Sequence, residues 1–145
     1  MKDIQVKDVM TQNLITVKSY QTVSEVSRIF NEHSFHHIPI IHDDDSLAGI
    51  ISLTDFERIK NGTSLFRNPK IEKYNEALFS TLLARDIMTK DVVELCPTDT
   101  IHQAYQIFKK NRFRALPIIS KGKLTGIITP FDMIEYFFEK EYSLK

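Results

Sequence analysis

Apolar residues recur with the spacing of an amphipathic helix at two places in the chain. Each place follows a Thr-x-x-Glu or Thr-x-x-Gln sequence, beginning at Thr22 and at Thr100. A threonine followed three residues later by Glu or Gln is typical of the capping box at a helix N-terminus. We therefore predict one helix after each threonine, with one face buried. The predicted buried stripes are Val23, Val26, Ile29 and Phe30, and Ile101, Ala104, Ile107 and Phe108.

Nearly continuous apolar runs on both sides of each helix predict strands. A short run rich in β-branched residues precedes each helix, and two longer runs joined by a polar turn follow it. A second helix is predicted after the longer runs. In both halves of the chain the predicted order is therefore strand, helix, two strands and helix. The predicted strands are residues 14–17, 38–41, 47–51, 92–95, 116–119 and 124–128, and the second helices cover about 53–59 and 130–139.

The second half of the chain repeats the first at an offset of 78 residues. Asp8-Val9-Met10-Thr11 aligns with Asp86-Ile87-Met88-Thr89, and the strand pairs align after a one-residue deletion in the turn. So short a unit buries only a modest share of its surface, so we expect two repeats packed with pseudo-twofold symmetry into one α/β (α+β) domain. The expected boundaries are 1–60 for the first repeat, 61–83 for a linker with a connecting helix over 70–83, and 84–145 for the second repeat.

Composition and charge narrow the possible partners. The 145 residues include 19 basic and 19 acidic side chains, so the chain lacks the general positive field that sequence-independent nucleic-acid binding needs. It also lacks a signal-like N-terminus or a run near the roughly 18 apolar residues of a membrane span. The single cysteine, Cys96, cannot form an internal disulfide, which fits a reducing compartment. We expect a cytoplasmic protein that binds neither nucleic acid nor membrane.

The candidate chemistry lies where the last strand of each repeat meets the second helix. Ser52 is followed three residues later by Asp55, and Thr129 is followed at the same spacing by Asp132. A helix N-terminus offers unpaired N–H groups to a phosphate, and a carboxylate accepts two hydrogen bonds from a vicinal diol. The same residues at a helix start also serve as caps that act on stability alone. The isolated motifs leave both interpretations open.

A metal or catalytic site built on histidine is a weaker alternative. His33, His36, His37 and His42 fall within ten residues of one another. Adjacent strand residues point to opposite faces, so His36 and His37 cannot converge on one ion, and no Cys or Glu stands at ligand spacing. No nucleophile with its base and orienting group is recognisable. We therefore predict that the chain binds no metal and is not an enzyme.

The complete set of motifs, given twice in the same order, resembles a tandem pair of cystathionine β-synthase (CBS) domains, the Bateman module. The resemblance extends from Val6 to Phe138. It implies a β-α-β-β-α fold in each repeat, with the sheets of the two repeats packed together. It also implies a regulatory role, in which AMP, ADP or ATP binds in two clefts between the repeats. S-adenosylmethionine binding and a ligand-free protein-interaction module are the alternatives within the family.

The resemblance also implies which residues form the two clefts. The hydroxyl residue contacts phosphate and its aspartate holds the ribose, which assigns Ser52 and Asp55 to one cleft and Thr129 and Asp132 to the other. Each cleft is composite. Thr11, Ile15, His36 and His37 are expected with Asp132, whereas Thr89, Val93, Arg114 and Ala115 are expected with Asp55, and Ile50 and Ile127 are expected to support the adenine.

The remaining expectation concerns protein partners. Beside the two repeats the sequence carries no transporter, dehydrogenase or kinase-subunit segment, so the regulated target is expected to be a separate protein, which the sequence does not identify. The aromatic tail around Phe137 and Phe138 offers more apolar surface than a small monomer usually exposes. We therefore expect a homodimer, which the family resemblance also implies.

Overall fold

The computed structural model describes residues 3–62, 76–110 and 112–143, which form two compact units. One unit consists of Ile15–Asp91 and is called the Asp55 unit. The other combines Met1–Leu14 with Val92–Lys145 and is called the Asp132 unit. The start of the chain therefore packs with the second sequence repeat, so the compact units do not coincide with the repeats.

The Asp55 unit is built on a three-stranded sheet. The strands lie in the order β1 (Val17–Lys18), β2 (His37–Ile41) and β3 (Leu47–Ser52). β1 is parallel to β2, and β2 is antiparallel to β3. Val17, Ile38 and Ile51 are fully or almost fully buried between this sheet and its helices. The elements are β1 (Val17–Lys18), α1 (Val23–Glu32), β2 (His37–Ile41), β3 (Leu47–Ser52), α2 (Leu53–Gly62), helical residues 76–81 and α3 (Ala84–Ile87). The predicted connecting helix lies partly outside the described residues, and its described part ends at residue 81, before the predicted end at 83.

The Asp132 unit is built on a β-hairpin. Its two antiparallel strands are β4 (Leu116–Ser120) and β5 (Lys123–Ile128). They carry a core around Leu116, Ile118 and Ile128. The last helix runs to Ser143, beyond the predicted end near residue 139, since Glu, Lys and Tyr continue a helix readily. The elements are a 3₁₀ turn (Val6–Asp8), α4 (Ile101–Lys109), β4 (Leu116–Ser120), β5 (Lys123–Ile128) and α5 (Pro130–Ser143).

The strands predicted over residues 14–17 and 92–95 are both wrong in extent. The first forms only over Val17–Lys18, and the second is reduced to a single bridge at Leu95. The Leu95 amide donates to Pro117 O at 3.0 Å, and its carbonyl accepts from the amide of Ile119. In the Asp55 unit the pairing continues for one more residue, Lys18, and the amide of Ser19 then donates to Ile41 O at 3.1 Å. Pro97 stands at the position that aligns with Ser19 and has no amide hydrogen to extend the ladder.

The predicted helix caps are present with one exception. The hydroxyl oxygen of Thr100 accepts from the Gln103 amide, and the Gln103 side chain accepts from the Thr100 amide, which closes the predicted capping box. Thr22 also caps its helix, by accepting from the amide of Glu25. The Glu25 side chain instead accepts a hydrogen bond from Gln21, so the second half of that box is missing.

Each unit is completed by the segment that leads into an Asp-x-Met-Thr motif. In each unit a carbonyl of this segment accepts a hydrogen bond from the first amide of a capped helix. Ile101 N donates to Ile4 O at 2.9 Å, and Val23 N donates to Leu82 O at 2.8 Å. These amides have no partner inside their own helices. The next turn of each segment places a fully buried side chain in the core. The buried residues are Val6 in the Asp132 unit and Ala84 in the Asp55 unit.

The Met-Thr ends of these segments cross the hairpins at a glycine. Thr89 exchanges two backbone hydrogen bonds with Ile50, at 3.0 and 2.9 Å, and Thr11 exchanges two with Ile127, at 2.8 and 3.0 Å. A Cβ atom on Gly49 would lie 2.5 Å from the carbonyl oxygen of Thr89. On Gly126 it would lie 2.6 Å from the Met10 sulfur and 3.0 Å from the Thr11 carbonyl oxygen.

We expect Gly49→Ala to destabilise the protein by about 1–3 kcal/mol, since its methyl group would meet backbone that cannot move without breaking the bridge. Gly126→Ala should cost less, because its nearest neighbour is a flexible methionine end. Gly122→Ala is the control: its φ of +76° adds strain of about 1 kcal/mol, but nothing lies within 4 Å. Urea unfolding of the three variants measures the order. A Gly49→Ala protein as stable as the unmodified chain would show that the crossing is loose.

Candidate functional site

The start of α5 forms a closed hydrogen-bond network between Thr129 and Asp132. The Asp132 amide donates to Thr129 Oγ1 at 3.2 Å, which caps the helix. The Thr129 amide and hydroxyl both donate to Asp132 Oδ2, at 2.8 and 3.0 Å. Pro130, which follows the cap, occupies the first helical position, where proline is favoured. Buried β5 residues end at Ile128, so this network begins where the chain reaches the surface.

Thr11 joins this network from the start of the chain. Its hydroxyl donates to Asp132 Oδ1 at 3.2 Å. The backbone bridge to Ile127 places Thr11 there, because Ile127 lies near the end of β5 and two residues before Thr129. The Asp132 carboxylate therefore accepts three hydrogen bonds from its own unit.

The start of α2 carries the matching residues in a different arrangement. The Asp55 amide donates to Ser52 Oγ at 3.0 Å, so the serine caps its helix as the threonine does. The Asp55 carboxylate, however, meets Arg58 Nη1 at 3.4 Å on the exposed helix surface. The carbonyl of His36 accepts from the Leu53 amide at 2.7 Å, which brings the β2 entrance to the same helix start.

Arg58 is a residue that the sequence reasoning did not select. It stands three residues after Asp55, a spacing at which side chains on a helix are neighbours. The aligned residue three positions after Asp132 is Glu135, which repels a carboxylate instead of pairing with it. The spacing of charges along the two second helices was therefore a visible signal for the difference between the sites.

The other predicted site residues divide between the units. The Asp55 unit contains Ile15, His36, His37, Ile50 and Thr89 beside Ser52 and Asp55. The Asp132 unit contains Thr11, Val93, Arg114, Ala115 and Ile127 beside Thr129 and Asp132. Each aspartate thus shares its unit with the threonine predicted for it, whereas Ile15 and the two histidines belong to the unit opposite to their predicted partner Asp132. That grouping, and the matching one of Val93, Arg114 and Ala115 with Asp55, stay predictions.

Exposure separates the predicted apolar contacts into two classes. Ile15 and Val93, which align between the repeats, expose 37% and 36% of their surface and are available to an apolar ligand face. Ile50 and Ile127 expose only 6% and 7%, so their side chains offer little surface to an adenine. Their backbone groups are also occupied by the bridges to Thr89 and Thr11.

The acidic turn between β2 and β3 is held by its own hydrogen bonds. Ser46 donates from its amide and its hydroxyl to Asp44, and these bonds lower the pKa of the Asp44 carboxyl. Tyr20 donates its hydroxyl to Asp43, which raises the pKa of that phenol. Within residues 3–62, 76–110 and 112–143, no three His, Cys, Asp or Glu side chains cluster as metal ligands. In the same part of the chain no helix has the length and apolar character needed to cross a bilayer.

Both repeats of the chain match a known protein family. A family model for the CBS domain matches the chain twice, at residues 6–61 and 84–139. An uncharacterized protein of Methanocaldococcus jannaschii is 29% identical over 150 residues, in an alignment that covers 90% of this chain and 89% of that protein. The chain spans 41%, 24% and 22% of three further relatives, so it corresponds to less than half of their length.

Solved structures with the same fold include ligand complexes. CBSX2 from Arabidopsis thaliana has a TM-score of 0.80 at 22% identity, and the alignment covers 97% of this chain and 99% of that one. CBSX2 in complex with AMP has a TM-score of 0.77 at 23% identity, with coverage of 95% and 98%. The CBS domain pair of protein MJ0100, in complex with 5′-methylthioadenosine and S-adenosyl-L-methionine, has a TM-score of 0.71 at 22% identity, with coverage of 96% and 99%. At these identities the likeness establishes the fold.

The hydrogen bonds predict unequal effects of removing the two carboxylates without ligand. Asp132→Ala removes acceptors for Thr129 and Thr11 and should cost about 1–2 kcal/mol of unfolding free energy. Asp55→Ala removes an exposed ion pair and should cost at most about 1 kcal/mol. Urea titrations of both variants under the same conditions give the comparison. Equal losses would show that the network around Asp132 adds nothing to stability.

Proposed function

The chain belongs to the CBS domain family, and on that premise we propose that it is a regulatory module that binds an adenosine nucleotide and has no catalytic activity of its own. The observation that carries the proposal is the pair of helix starts at Ser52 and Thr129. Each presents a hydroxyl residue and, one turn on, a partly exposed aspartate. The same pair at both helix starts of a duplicated CBS pattern supports a ligand site over capping alone.

The two groups at each helix start suit the two ends of a nucleotide. The first N–H groups of a helix and its positive dipole end attract a phosphate. The aspartate carboxylate has two oxygens and can accept hydrogen bonds from both ribose hydroxyls at once. No other side chain in the hydroxyl-x-x-Asp pair can do this. The exposed side chains of Ile15 and Val93 supply apolar surface for a base.

Phosphate chemistry favours AMP, ADP or ATP over S-adenosylmethionine as the ligand. The relatives in complex include one with AMP and one with 5′-methylthioadenosine and S-adenosyl-L-methionine. S-adenosylmethionine carries a positive sulfonium and no phosphate, so a helix N-terminus attracts it less than it attracts a nucleotide. It remains the second candidate, because its ribose would use the same aspartates.

We further propose that the module acts on a separate protein as a homodimer. The last helix, α5, exposes an aromatic surface that is large for a helix of a small unit. A second copy of the chain offers the same surface, which is the self-complementarity that a twofold dimer requires. The exposed residues of this surface are Phe131, Ile134, Phe137, Phe138 and Tyr142, at 49–67% exposure.

We expect AMP to raise the melting temperature by several degrees. Ligand at 100 times its dissociation constant stabilises the folded state by about 2.7 kcal/mol. Asp55→Ala and Asp132→Ala should each remove one binding equivalent in calorimetry, since each loses a charged acceptor worth about 1.5–3 kcal/mol. Asp44→Ala, in the β2–β3 turn, is the control and should keep both equivalents.

Two results would count against nucleotide binding. The first is the absence of any shift with AMP, ADP, ATP or S-adenosylmethionine at millimolar concentration. The second is unchanged affinity and stoichiometry in both alanine variants, which would assign Ser52, Asp55, Thr129 and Asp132 to capping alone.

We expect Phe138→Lys to dissociate the dimer, because it places a charge in the α5 surface. Tyr105→Lys is the matched control, since Tyr105 is an aromatic residue of similar exposure on α4. Light scattering at tens of micromolar protein should give a dimer for the control and a monomer for Phe138→Lys. A monomer already in the unmodified chain would refute the dimer.

A further inference from the structure

The carboxylate of Asp132 is nearly saturated before any ligand arrives. A carboxylate offers about four acceptor positions. Three are used here: Oδ2 accepts from the Thr129 amide and hydroxyl, and Oδ1 accepts from the Thr11 hydroxyl. A ribose diol donates two hydrogen bonds, so one internal donor has to leave before the diol can bind in full.

Thr11 is the donor that a ribose would replace. Its bond to Asp132 is the longest of the three, at 3.2 Å, and it lies at the exposed side of the network. The two Thr129 bonds belong to the helix start itself and are fixed by the cap. The Thr11 backbone stays in place through Ile127 when the hydroxyl turns away, so the exchange needs no rearrangement of the strand.

The Asp55 carboxylate has no comparable internal competitor among the described residues. Its contact is the exposed pair with Arg58, at 3.4 Å, and exposed pairs of this kind contribute little. Thr89, which aligns with Thr11, makes the same backbone bridge, but its hydroxyl makes no hydrogen bond to Asp55 in the described part of the chain. The charge one turn on differs in the same sense, because Arg58 attracts Asp55 along its helix, whereas Glu135 does not attract Asp132 away from its cap.

Resting on the proposed function, we propose that the Thr11 hydroxyl occupies a ribose position of Asp132 in the ligand-free protein, so that the Asp55 unit takes up nucleotide first. Thr11 is then a residue that sets the affinity of one unit without being the main ligand contact. The two repeats, which carry the same hydroxyl-x-x-Asp pattern, thereby respond to different nucleotide concentrations.

The test reads each unit alone by calorimetry with AMP. The Asp55→Ala background reports the Asp132 unit, and the Asp132→Ala background reports the Asp55 unit. We expect weaker AMP binding in the first background than in the second. In the first background, Thr11→Val should strengthen AMP binding about three- to tenfold, the value of one net hydrogen bond. Thr11→Ser keeps the hydroxyl and should not give the gain.

Thr89→Val in the Asp132→Ala background is the matched comparison and should give no gain. Urea unfolding of every variant verifies that it is folded. Glu135→Arg is a second test of the same inference. An arginine three residues after Asp132 should draw its carboxylate away from Thr11 and so strengthen AMP binding as well. If Thr11→Val weakens AMP binding or leaves it unchanged, or if both units bind equally, the inference fails while nucleotide binding stands. If neither background nor the unmodified chain binds AMP, ADP, ATP or S-adenosylmethionine, the proposed function fails and the inference fails with it.

Discussion

The close approach of two backbone segments at a glycine is the constraint on which each unit depends. In the Asp55 unit the carbonyl oxygen of Thr89 lies 2.5 Å from the position that a Cβ on Gly49 would take. Only glycine lets the incoming segment exchange both of its backbone hydrogen bonds with the strand. The crossing also fixes the candidate site, because the bridged residues Ile50 and Ile127 each lie two positions before a capping residue, Ser52 or Thr129. The same geometry brings Thr11 to Asp132.

Capping and the proposed nucleotide binding draw on the same atoms at these helix starts. A hydroxyl that caps the helix is already engaged, and a carboxylate that closes the network has fewer acceptor positions left. Each internal hydrogen bond that stabilises the free protein is therefore one that a ligand has to replace or share. The Asp132 network stabilises the free protein. The exposed Asp55 carboxylate, paired only with Arg58 among the described residues, keeps more of its acceptor positions available to a ligand.

Features with a local cause could be predicted from the sequence. The caps at Thr22, Thr100 and Thr129 depend on residues within one turn, and the hairpins depend on continuous apolar runs. The CBS resemblance gave the family, which the duplicated family match confirms. The strands predicted over 14–17 and 92–95 begin too early in both repeats, and Pro97 explains only why pairing stops soon after Leu95, because it lacks the amide that extends the aligned strand.

The composition of the units and the direction of the aspartates have no such local cause. The first residues of the chain carry no local signal that they pack with residues 92–145. That packing depends on the burial of Val6 and on the bond from Ile101 N, at the start of α4, to Ile4 O. The two hydroxyl-x-x-Asp motifs also look alike in sequence. Their carboxylates nevertheless lie differently, since Asp55 meets Arg58 one turn further on, whereas Asp132, followed at that spacing by Glu135, bonds back to its cap. A duplicated motif thus gives the same backbone bridge and helix cap in both repeats, while the hydrogen bonds of its carboxylate differ between them.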